Sequence, residues 1–244
     1  MKAILMAAGV GSRISRSINK PKSTLDAGGM PLITRTVDML LSKGVEVVVV
    51  TGYRCGEVED ALKGRDVKFY FNPFYRATNS MASLWFAREA IGGDDLILAN
   101  ADVFWGDGMY EDLMSDDRDI VMLGDESRVS QGDYFFKVKD GVIADFGKEL
   151  SPENRTTEYV GIAKIASHLT DRFRENLEAM VNEERYDLWW ENVLYEHIDT
   201  DPVYVRDMSE YFWAEIDYID DYYRITEFLR TGDISCKNCQ RKSI

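Results

Sequence analysis

The chain has 244 residues, of which 45% are hydrophobic and 30% are charged, proportions that indicate a folded globular protein and not a disordered one. Its formal net charge of −14 argues against general binding to nucleic acid or to an anionic membrane, because both need a basic surface. No apolar run approaches the roughly 18 residues of a membrane span and the N-terminus has no signal-peptide layout, so we expect a cytoplasmic protein.

The cysteines do not indicate a disulfide framework or a metal site. Cys236 and Cys239 form an isolated Cys-x-x-Cys in a polar C-terminal segment, and Cys55 stands alone. A zinc site would need further ligands, and neither histidine, His168 or His197, belongs to a ligand pattern. We therefore interpret Cys236 and Cys239 as incidental.

A predicted strand, Lys2–Met6, passes directly into a loop of small residues. In that loop Gly9 and Gly11 let backbone amides approach phosphate oxygens without a Cβ in the way. The bases that precede the first acid, Asp26, form a local cationic region in an acidic chain: Lys2, Arg13, Arg16, Lys20 and Lys22. We therefore expect a polyphosphate site here. Its expected residues are Ala7, Ala8, Gly9, Gly11 and Ser12, with Arg13 and Lys22 neutralising phosphate charge.

The following segments alternate between helix and strand patterns. Helical spacing of apolar residues and β-branched runs predict a helix over Pro31–Lys43, a strand over Val45–Val50, a helix over Glu57–Leu62, a strand over Val67–Phe71, a helix over Met81–Ile91 and a buried strand over Asp95–Asn100. This order is typical of a doubly wound α/β domain, in which ligands bind at the carboxyl ends of the strands. We therefore expect Asp102, which follows the last of these strands, to lie beside the glycine loop.

The pattern changes after a strand-like run at Ile120–Leu123. Tyr134–Lys139 and Val142–Phe146, separated by Asp140 and Gly141, predict a hairpin. The later predictions are a strand over Glu158–Ala166, helices over Thr170–Val181 and Leu188–Tyr195, strands over Val203–Arg206 and Phe212–Ile216, and a closing helix over Asp220–Leu229.

These elements predict an α/β fold with a Rossmann-like mixed, mostly parallel sheet flanked by helices. The hairpin would belong to a small acceptor subdomain. We expect one domain over residues 1–230, with a nucleotide-binding half at 1–125 and an acceptor-binding half at 126–230, followed by a polar tail at 231–244.

The glycine loop carries a resemblance to a known family. Ala7-Ala8-Gly9-Val10-Gly11-Ser12-Arg13, followed by Pro21-Lys22, resembles the signature of the nucleotidyltransferases that make NDP-sugars. It is particularly similar to the branch of bacterial CTP:phosphocholine and phosphonate cytidylyltransferases. The loop is neither a Walker A sequence nor GxGxxG, since no Gly-Lys-Ser/Thr follows and Ile14 holds the last position. The resemblance implies catalytic roles for Arg13 and Lys22.

The same resemblance implies a Mg²⁺ site. In the family one aspartate ends the central strand and another lies in a late Glu-x-Asp element, and Asp102 and Asp217 take those places here. Two carboxylates suit Mg²⁺ that bridges nucleotide phosphates. The branch often has Asp-Ala-Asp where this chain has Asn100-Ala101-Asp102. The alternative for Asp217 is an ordinary acid near the N-terminus of the closing helix.

Two further segments resemble the cytidylyltransferase branch. Asn72–Leu84 resembles the segment that closes on the pyrimidine, which makes Asn79 and Ser83 candidate nucleotide-binding residues, although Asn79 also suits a helix N-cap. The segment around residues 186–192 resembles a branch element that supplies acceptor contacts. The expected acceptor-binding residues are Lys164, Asp187, Trp189, Trp190 and Glu215.

Trp189 or Trp190, together with Asp187 and Glu215, could hold an ammonium by cation–π attraction and charge. Ordinary core packing of the two tryptophans is an equal alternative. Relatives specific for choline carry aromatic residues on the strand after Gly161, whereas this chain has Lys164 there, which suits an anionic acceptor group.

We therefore expect a Mg²⁺-dependent nucleotidyltransferase that couples CTP to a small phosphorylated amine or a phosphonate and releases pyrophosphate. The alternatives are a sugar-1-phosphate nucleotidyltransferase, a metal-dependent glycosyltransferase and a catalytically inactive nucleotide-binding regulator. Retention of Arg13, Lys22, Asp102 and Asp217 together argues against the inactive regulator.

Overall fold

The computed structural model of the protein describes residues 1–11 and 19–235. The strands are β1 (Lys2–Ala7), β2 (Glu46–Thr51), β3 (Val67–Phe71), β4 (Leu96–Asn100), β5 (Val103–Phe104), β6 (Ile120–Asp125), β7 (Phe135–Lys139), β8 (Val142–Gly147), β9 (Thr157–Ile165), β10 (Tyr204–Asp207) and β11 (Ala214–Glu215). The helices are α1 (Leu32–Ser42), α2 (Cys55–Ala61), α3 (Ser80–Phe86), α4 (Asp107–Met114), α5 (Ser167–Asn182), α6 (Asn192–Tyr195) and α7 (Ile219–Thr231).

Most of the predicted elements are confirmed to within a few residues. The hairpin between β7 and β8 turns at Asp140 and Gly141, both with positive φ, which is the backbone that a tight two-residue hairpin turn requires. α4 and β5 were not predicted.

Nine of the described strands form one sheet in the order β3-β2-β1-β4-β9-β6-β10-β8-β7, and β5 pairs with β11 beside it. The first four strands of this order are parallel. β9 then inserts between β4 and β6 and runs antiparallel to both. Among the pairings of the large sheet four are parallel and five antiparallel. The expected mixed sheet is confirmed, but the prediction that it is mostly parallel is wrong.

Helices cover both faces of the sheet. On one face residues of α1 and α4 belong to the same buried cluster as alternate residues of β1 and β2, such as Leu5 and Val49. On the other face residues of α3 and α5 share a buried cluster with the intervening residues, such as Ile4 and Val48. In the part of the chain that the structure describes, no helix has both the length and the apolar character needed to cross a membrane.

The segment before α6 is not the helix that the sequence predicts. Only Asn192–Tyr195 is helical, and the preceding residues run across the N-terminus of α3. There the carbonyl oxygens of Tyr186 and Leu188 accept hydrogen bonds from the backbone N–H groups of Asn79 and Met81. Those donors have no partner inside their own helix, so they hold the segment against α3 as a series of turns.

Candidate active site

Three adjoining cavities form a cleft at the carboxyl ends of β1 and β4. The lysine cavity, about 360 Å³, is lined by Lys22, Asp102 and the glycine loop. The asparagine cavity, about 580 Å³, is lined by the same loop and by Asn79. The aromatic cavity, about 230 Å³, lies among tyrosines of the second half of the chain. The exposed ring of Trp189 lines all three, so they form one continuous cleft.

Lys22 lies between two carboxylates in the lysine cavity. Its Nζ is 2.6 Å from Oδ1 of Asp217 and 3.2 Å from Oδ2 of Asp102. Gly11 makes room for the lysine: it has a φ of +64°, and a Cβ there would lie 2.8 Å from Cγ of Lys22. The two glycines therefore have separate uses, since Gly9 leaves open space at the cavity wall and Gly11 admits the lysine stem.

Burial shifts the pKa values of the charged side chains around Lys22. Burial lowers the pKa of Lys22, but Asp102 and Asp217 outweigh that effect and hold its pKa above the usual value, so the ammonium stays charged. Burial raises the pKa of Asp102, and Lys22 opposes that rise. Burial and the charges of Asp102 and Asp217 raise the pKa of Glu215 well above its usual value. The region thus carries more acid than base and is suited to a further cation.

The donor set fits a magnesium ion that is held jointly with a phosphate. Oxygens of Asp102 and Asp217 converge on the single ammonium of Lys22, so both carboxylates can reach one cation. Mg²⁺ commonly binds through one or two carboxylates and completes its shell with phosphate oxygens and water. Within residues 1–11 and 19–235 no group of three or more His, Cys, Asp or Glu side chains forms a metal site made of protein alone. Any bound metal would therefore depend on the substrate for further ligands.

Asn79 and Ser83 lie on the wall of the asparagine cavity. The Oδ1 atom of Asn79 caps α3 by accepting a hydrogen bond from the N–H of Ser80 at 2.8 Å. The expected N-cap is therefore present, and Asn79 still lines two of the cavities. Ser83 Oγ accepts a hydrogen bond from Asn72 Nδ2 at 2.9 Å, which fixes its position.

The aromatic cavity has rings on several sides and carboxyl groups between them. The ring of Tyr134 lies 5.8 Å from that of Trp189, 6.1 Å from that of Tyr195 and 6.3 Å from that of Tyr159. Glu191 and Glu215 also line it. Burial raises the pKa of Glu191 to about 7.

Asn100 connects this cavity to the core. Its Oδ1 accepts a hydrogen bond from Nε1 of the fully buried Trp190 at 3.0 Å. The backbone N–H of Trp190 donates to Ser80 Oγ at 3.0 Å, which ties it to α3. Trp190 therefore positions Asn100 and the adjacent Glu191, and it does not itself line the cavities.

Residues 3–187 match the MobA-like NTP transferase domain family. The chain belongs to this family. The protein is a nucleotidyltransferase, as the glycine loop and the paired carboxylates predicted.

Several characterised proteins resemble the transferase over nearly its whole length. It is 26% identical over 236 residues to the choline-phosphate cytidylyltransferase of Streptococcus pneumoniae, covering 94% of this chain and 99% of the relative. It is 24% identical over 225 residues to the 2-aminoethylphosphonate cytidylyltransferase of Lancefieldella rimae, covering 89% and 88% of the two chains. The solved structure of CTP:phosphocholine cytidylyltransferase from Streptococcus pneumoniae superposes with a TM-score of 0.77 at 23% identity, over 93% of this chain and 98% of that one.

Most predicted site residues of the transferase meet in the cleft. Lys22, Asp102 and Asp217 are in direct contact, and Trp189 and Glu215 lie beside them. The loop residues line the lysine or the asparagine cavity: Ala7, Ala8, Gly9 and Gly11. The predicted positions of Ser12 and Arg13, and the pair Cys236 and Cys239, lie outside the described residues.

Four expected positions need correction. Trp190, expected to bind the acceptor, is fully buried in the core and lines none of the three cavities. Lys164 is buried in β9 and its ammonium donates to the backbone carbonyl of Asp116, so it does not reach the cleft. Asp187 is exposed and lies outside the lining of the three cavities. Lys2 is at the opposite end of β1, where it pairs with Asp94, so it is not part of the cationic region.

Sequence reasoning missed most of the aromatic cavity. Tyr134, Tyr159 and Tyr195 come from three separate elements, and no local spacing connects them. Glu191 follows the predicted tryptophan pair, and this adjacency was the available signal. Lys148, which no sequence motif indicates, lies with its ammonium 5.0 Å from the centre of the Trp189 ring at the edge of this cavity.

Proposed function

We propose that the protein is a Mg²⁺-dependent cytidylyltransferase that couples CTP to a small phosphorylated amine or to an aminophosphonate and releases pyrophosphate. The observation that supports this most directly is the position of Lys22, Asp102 and Asp217 between a glycine-lined cavity and an aromatic, acidic one. A transfer between two bound molecules needs a cavity for each, with charge-neutralising groups where they meet.

CTP and the acceptor class are supported by the relatives. Proteins similar over about nine-tenths of this chain or more are named as cytidylyltransferases for choline phosphate and for 2-aminoethylphosphonate. Both acceptors have a cationic end and a phosphorus-bearing end. The aromatic cavity has ring faces and buried carboxyl groups, which are the features that hold an ammonium. Asn79 offers a donor and an acceptor to a base edge from the asparagine cavity.

In the proposed reaction an oxygen of the acceptor's phosphate or phosphonate attacks the α-phosphorus of CTP. A new P–O bond forms as the bond to the bridging oxygen breaks, and pyrophosphate leaves with that electron pair. Lys22 neutralises charge at the α-phosphate, and Arg13 holds the β- and γ-phosphates. Trp189 separates the two substrates and leaves the reacting ends exposed to each other. Catalysis is then mainly positioning and charge neutralisation.

Asp102 and Asp217 would hold the magnesium ion together with the nucleotide phosphates. A bound Mg²⁺ supplies Lewis-acid charge that offsets the negative charge of the phosphates. The carboxylates also keep Lys22 charged and fixed in place.

The test is a panel of nucleoside triphosphates and acceptors that is read by pyrophosphate release. CTP, UTP, GTP, ATP and dTTP are each combined with phosphocholine, phosphoethanolamine, 2-aminoethylphosphonate and glucose 1-phosphate. We expect turnover with CTP and one or more of the amine acceptors. Turnover only with a sugar phosphate would favour the sugar nucleotidyltransferase instead. CTP binding without turnover of any acceptor would favour the inactive regulator.

A matched variant excludes a contaminating activity. Lys22→Met, purified in parallel, should retain the fold by circular dichroism and lose about a hundredfold or more in kcat, the usual cost of removing one preorganised charge partner. Equal turnover by both proteins would mean that the activity belongs to another enzyme or that Lys22 has no part in it.

A further inference from the structure

Asp217 follows β11 directly, and strand pairing holds the backbone that leads to it. β11 pairs antiparallel with β5, so that Glu215 lies opposite Val103. The N–H of Ile216 donates to the carbonyl oxygen of Asp102 at 2.9 Å. These contacts place the two backbone segments that carry the site carboxylates side by side. They reach only to the residue before Asp217, so they do not by themselves fix the turn that Asp217 begins.

The carboxylate of Asp221 holds this turn. Asp221 is the third residue of α7, and its Oδ2 accepts hydrogen bonds from the backbone N–H groups of Asp217 at 3.0 Å and of Tyr218 at 2.7 Å. These two N–H groups belong to the planar peptide units on either side of the Cα of Asp217. One oxygen that holds both units therefore fixes the direction in which the Asp217 side chain leaves the backbone.

Asp221 is itself held in place from two directions. Its Oδ1 accepts a hydrogen bond from Nη2 of Arg224 at 2.8 Å, and the side chains of Asp221 and Arg224 are 0% and 7% exposed. Further along α7, the ring of Phe228 stacks on that of Phe212 at 4.0 Å, in an apolar cluster that includes a residue of β5. The helix therefore has a fixed position relative to the strand pair that carries the site.

The burial of this acid exceeds what a helix cap requires. Capping groups stabilise helices at the protein surface, whereas a carboxylate is seldom fully buried, because its desolvation is costly unless it is paired and hydrogen-bonded. Two of the bonds of Asp221 flank a residue whose own carboxylate lies 2.6 Å from Nζ of Lys22, at the centre of the cleft. The buried acid thus adjoins the site without forming part of its surface.

We propose that Asp221 is a positioning residue of the metal site, which acts through the backbone of Asp217 and keeps its carboxylate in register with that of Asp102. The inference rests on the proposed function, in which these two carboxylates hold Mg²⁺. Asp221 is fully buried and lines none of the three cavities, so it acts on the metal only through Asp217. Arg224 keeps the carboxylate of Asp221 oriented.

The test replaces Asp221 by asparagine and measures metal binding directly. Asparagine keeps the size of the side chain but has one acceptor oxygen, so either the backbone N–H groups or Arg224 lose their partner. Mn²⁺ is titrated with CTP present and acceptor absent, and the protein-bound ion is followed by its effect on water proton relaxation. We expect the dissociation constant to rise about tenfold, the low end of the usual cost of losing an outer partner of a metal ligand. The Mg²⁺ concentration for half-maximal pyrophosphate release should rise in parallel.

A double-mutant cycle shows whether Asp221 acts through Asp217. Asp217→Asn should weaken Mn²⁺ binding by itself. Asp221→Asn added to Asp217→Asn should then change the dissociation constant by less than about twofold, because the ligand that Asp221 positions has already been removed. An effect as large as in the wild-type background would mean that Asp221 acts on another group, and it would overturn the proposal.

Asp116→Asn is the matched control. Asp116 is also a buried carboxylate that accepts a backbone N–H and a guanidinium N–H, both from Arg118, at 3.1 and 2.8 Å, and it lines none of the three cavities. This variant should lower the melting temperature, as Asp221→Asn does, but leave the Mn²⁺ dissociation constant at the wild-type value. Asp221→Ser, which removes the carboxylate without adding bulk, is made in parallel, and the Asp221 variant with the higher melting temperature is used for the comparison.

The possible results separate the inference from the proposed function. Wild-type Mn²⁺ affinity in a folded Asp221 variant, with weakened binding in Asp217→Asn, would overturn the inference alone. An equal loss of affinity in Asp116→Asn would also overturn it, since the loss would then follow from lower stability. Failure of both Asp221 variants to fold would assign Asp221 a structural role and have the same consequence. Wild-type affinity in Asp217→Asn would instead remove Asp217 from the proposed metal site, and the inference with it.

Discussion

Replacement of Lys22 by methionine tests the charge arrangement at the centre of the cleft. Methionine keeps an unbranched stem in the space beside Gly11 but removes the ammonium. Asp102 and Asp217 would then face each other without the cation that now lies 3.2 and 2.6 Å from their oxygens. Removal of one partner from a buried charge group is costly because the remaining charges stay desolvated.

The size of the effect follows from burial. The side chains of Lys22, Asp102 and Asp217 are 12%, 21% and 13% exposed, so the group is largely shielded from water. Loss of one partner in such a group costs about 3 to 5 kcal/mol in the free energy of unfolding. With an unfolding entropy of about 2.1 cal/mol/K per residue over 244 residues, this lowers the Tm by roughly 6 to 10 °C.

The chain offers a matched control in Lys43. This lysine also bridges two carboxylates, Asp107 and Glu111, each at 3.1 Å, but both acids are about two-thirds exposed. Lys43→Met should therefore lower the free energy of unfolding far less than Lys22→Met does, because solvent screens an exposed ion pair. Calorimetric melts of wild type, Lys22→Met and Lys43→Met give the comparison. Added Mg²⁺ should raise the Tm of Lys22→Met more than that of wild type, because a cation can replace the lost ammonium between the carboxylates.

Two results would refute this reasoning. A Tm for Lys22→Met within about 2 °C of that for Lys43→Met would mean that the buried carboxylates do not depend on Lys22. An unchanged response to Mg²⁺ in Lys22→Met would mean that Asp102 and Asp217 do not converge on a shared cation position.

Further predictions concern the other groups of the cleft and one group outside it. Asp102→Asn and Asp217→Asn should each raise the Mg²⁺ concentration needed for half-maximal pyrophosphate release, and an unchanged requirement would remove that residue from the metal site. Burial raises the pKa of Glu191 from 4.5 to about 7, so the folded chain keeps a proton that the unfolded chain loses, and stability falls as pH rises through that window. Glu191→Gln should remove about 3 kcal/mol of that fall, as measured by urea unfolding at pH 4.5 and pH 7.5; parallel pH profiles for both proteins would contradict it. Lys164→Met should lower stability by about 1 to 3 kcal/mol, because it leaves the carbonyl of Asp116 without its donor, but should leave the KM for the acceptor unchanged. A large rise in that KM would return Lys164 to the site.

The local sequence pattern predicted where the strands of the sheet lie but not in which direction each one runs. β2 and β4 are continuous apolar runs, and β1 leads into the glycine loop, so each was found from its own residues. Strand direction depends on the partner that a strand meets. β9 is reached only after the β7–β8 hairpin and returns between β4 and β6 in the antiparallel sense. No residue within β9 encodes that direction, and the mostly parallel sheet was therefore the wrong prediction.

Lys164 was misplaced for a related reason. Every residue of β9 is buried, so the strand has no alternation of polar and apolar residues to indicate which way a side chain points. Likewise, Trp189 and Trp190 point in different directions because their segment packs on α3, and their adjacent positions in the sequence do not indicate this. The turns that hydrogen-bond to the N-terminus of α3 direct Trp189 into the cleft and Trp190 into the core.

The sequence alone determined the half of the cleft that the glycine loop lines, where we propose that the nucleotide phosphates bind. Gly9 and Gly11 adjoin a buried strand, and Asp102 ends the strand paired with it, so chain order and strand-end geometry were enough to bring them together. Only the tertiary structure decided the aromatic half. Tyr134, Tyr159 and Tyr195 lie on a loop, a central strand and a short helix. They meet because β7 of the hairpin pairs with β9, although the two strands are far apart in the sheet order. Contacts of that kind depend on packing between distant elements, which no local pattern encodes.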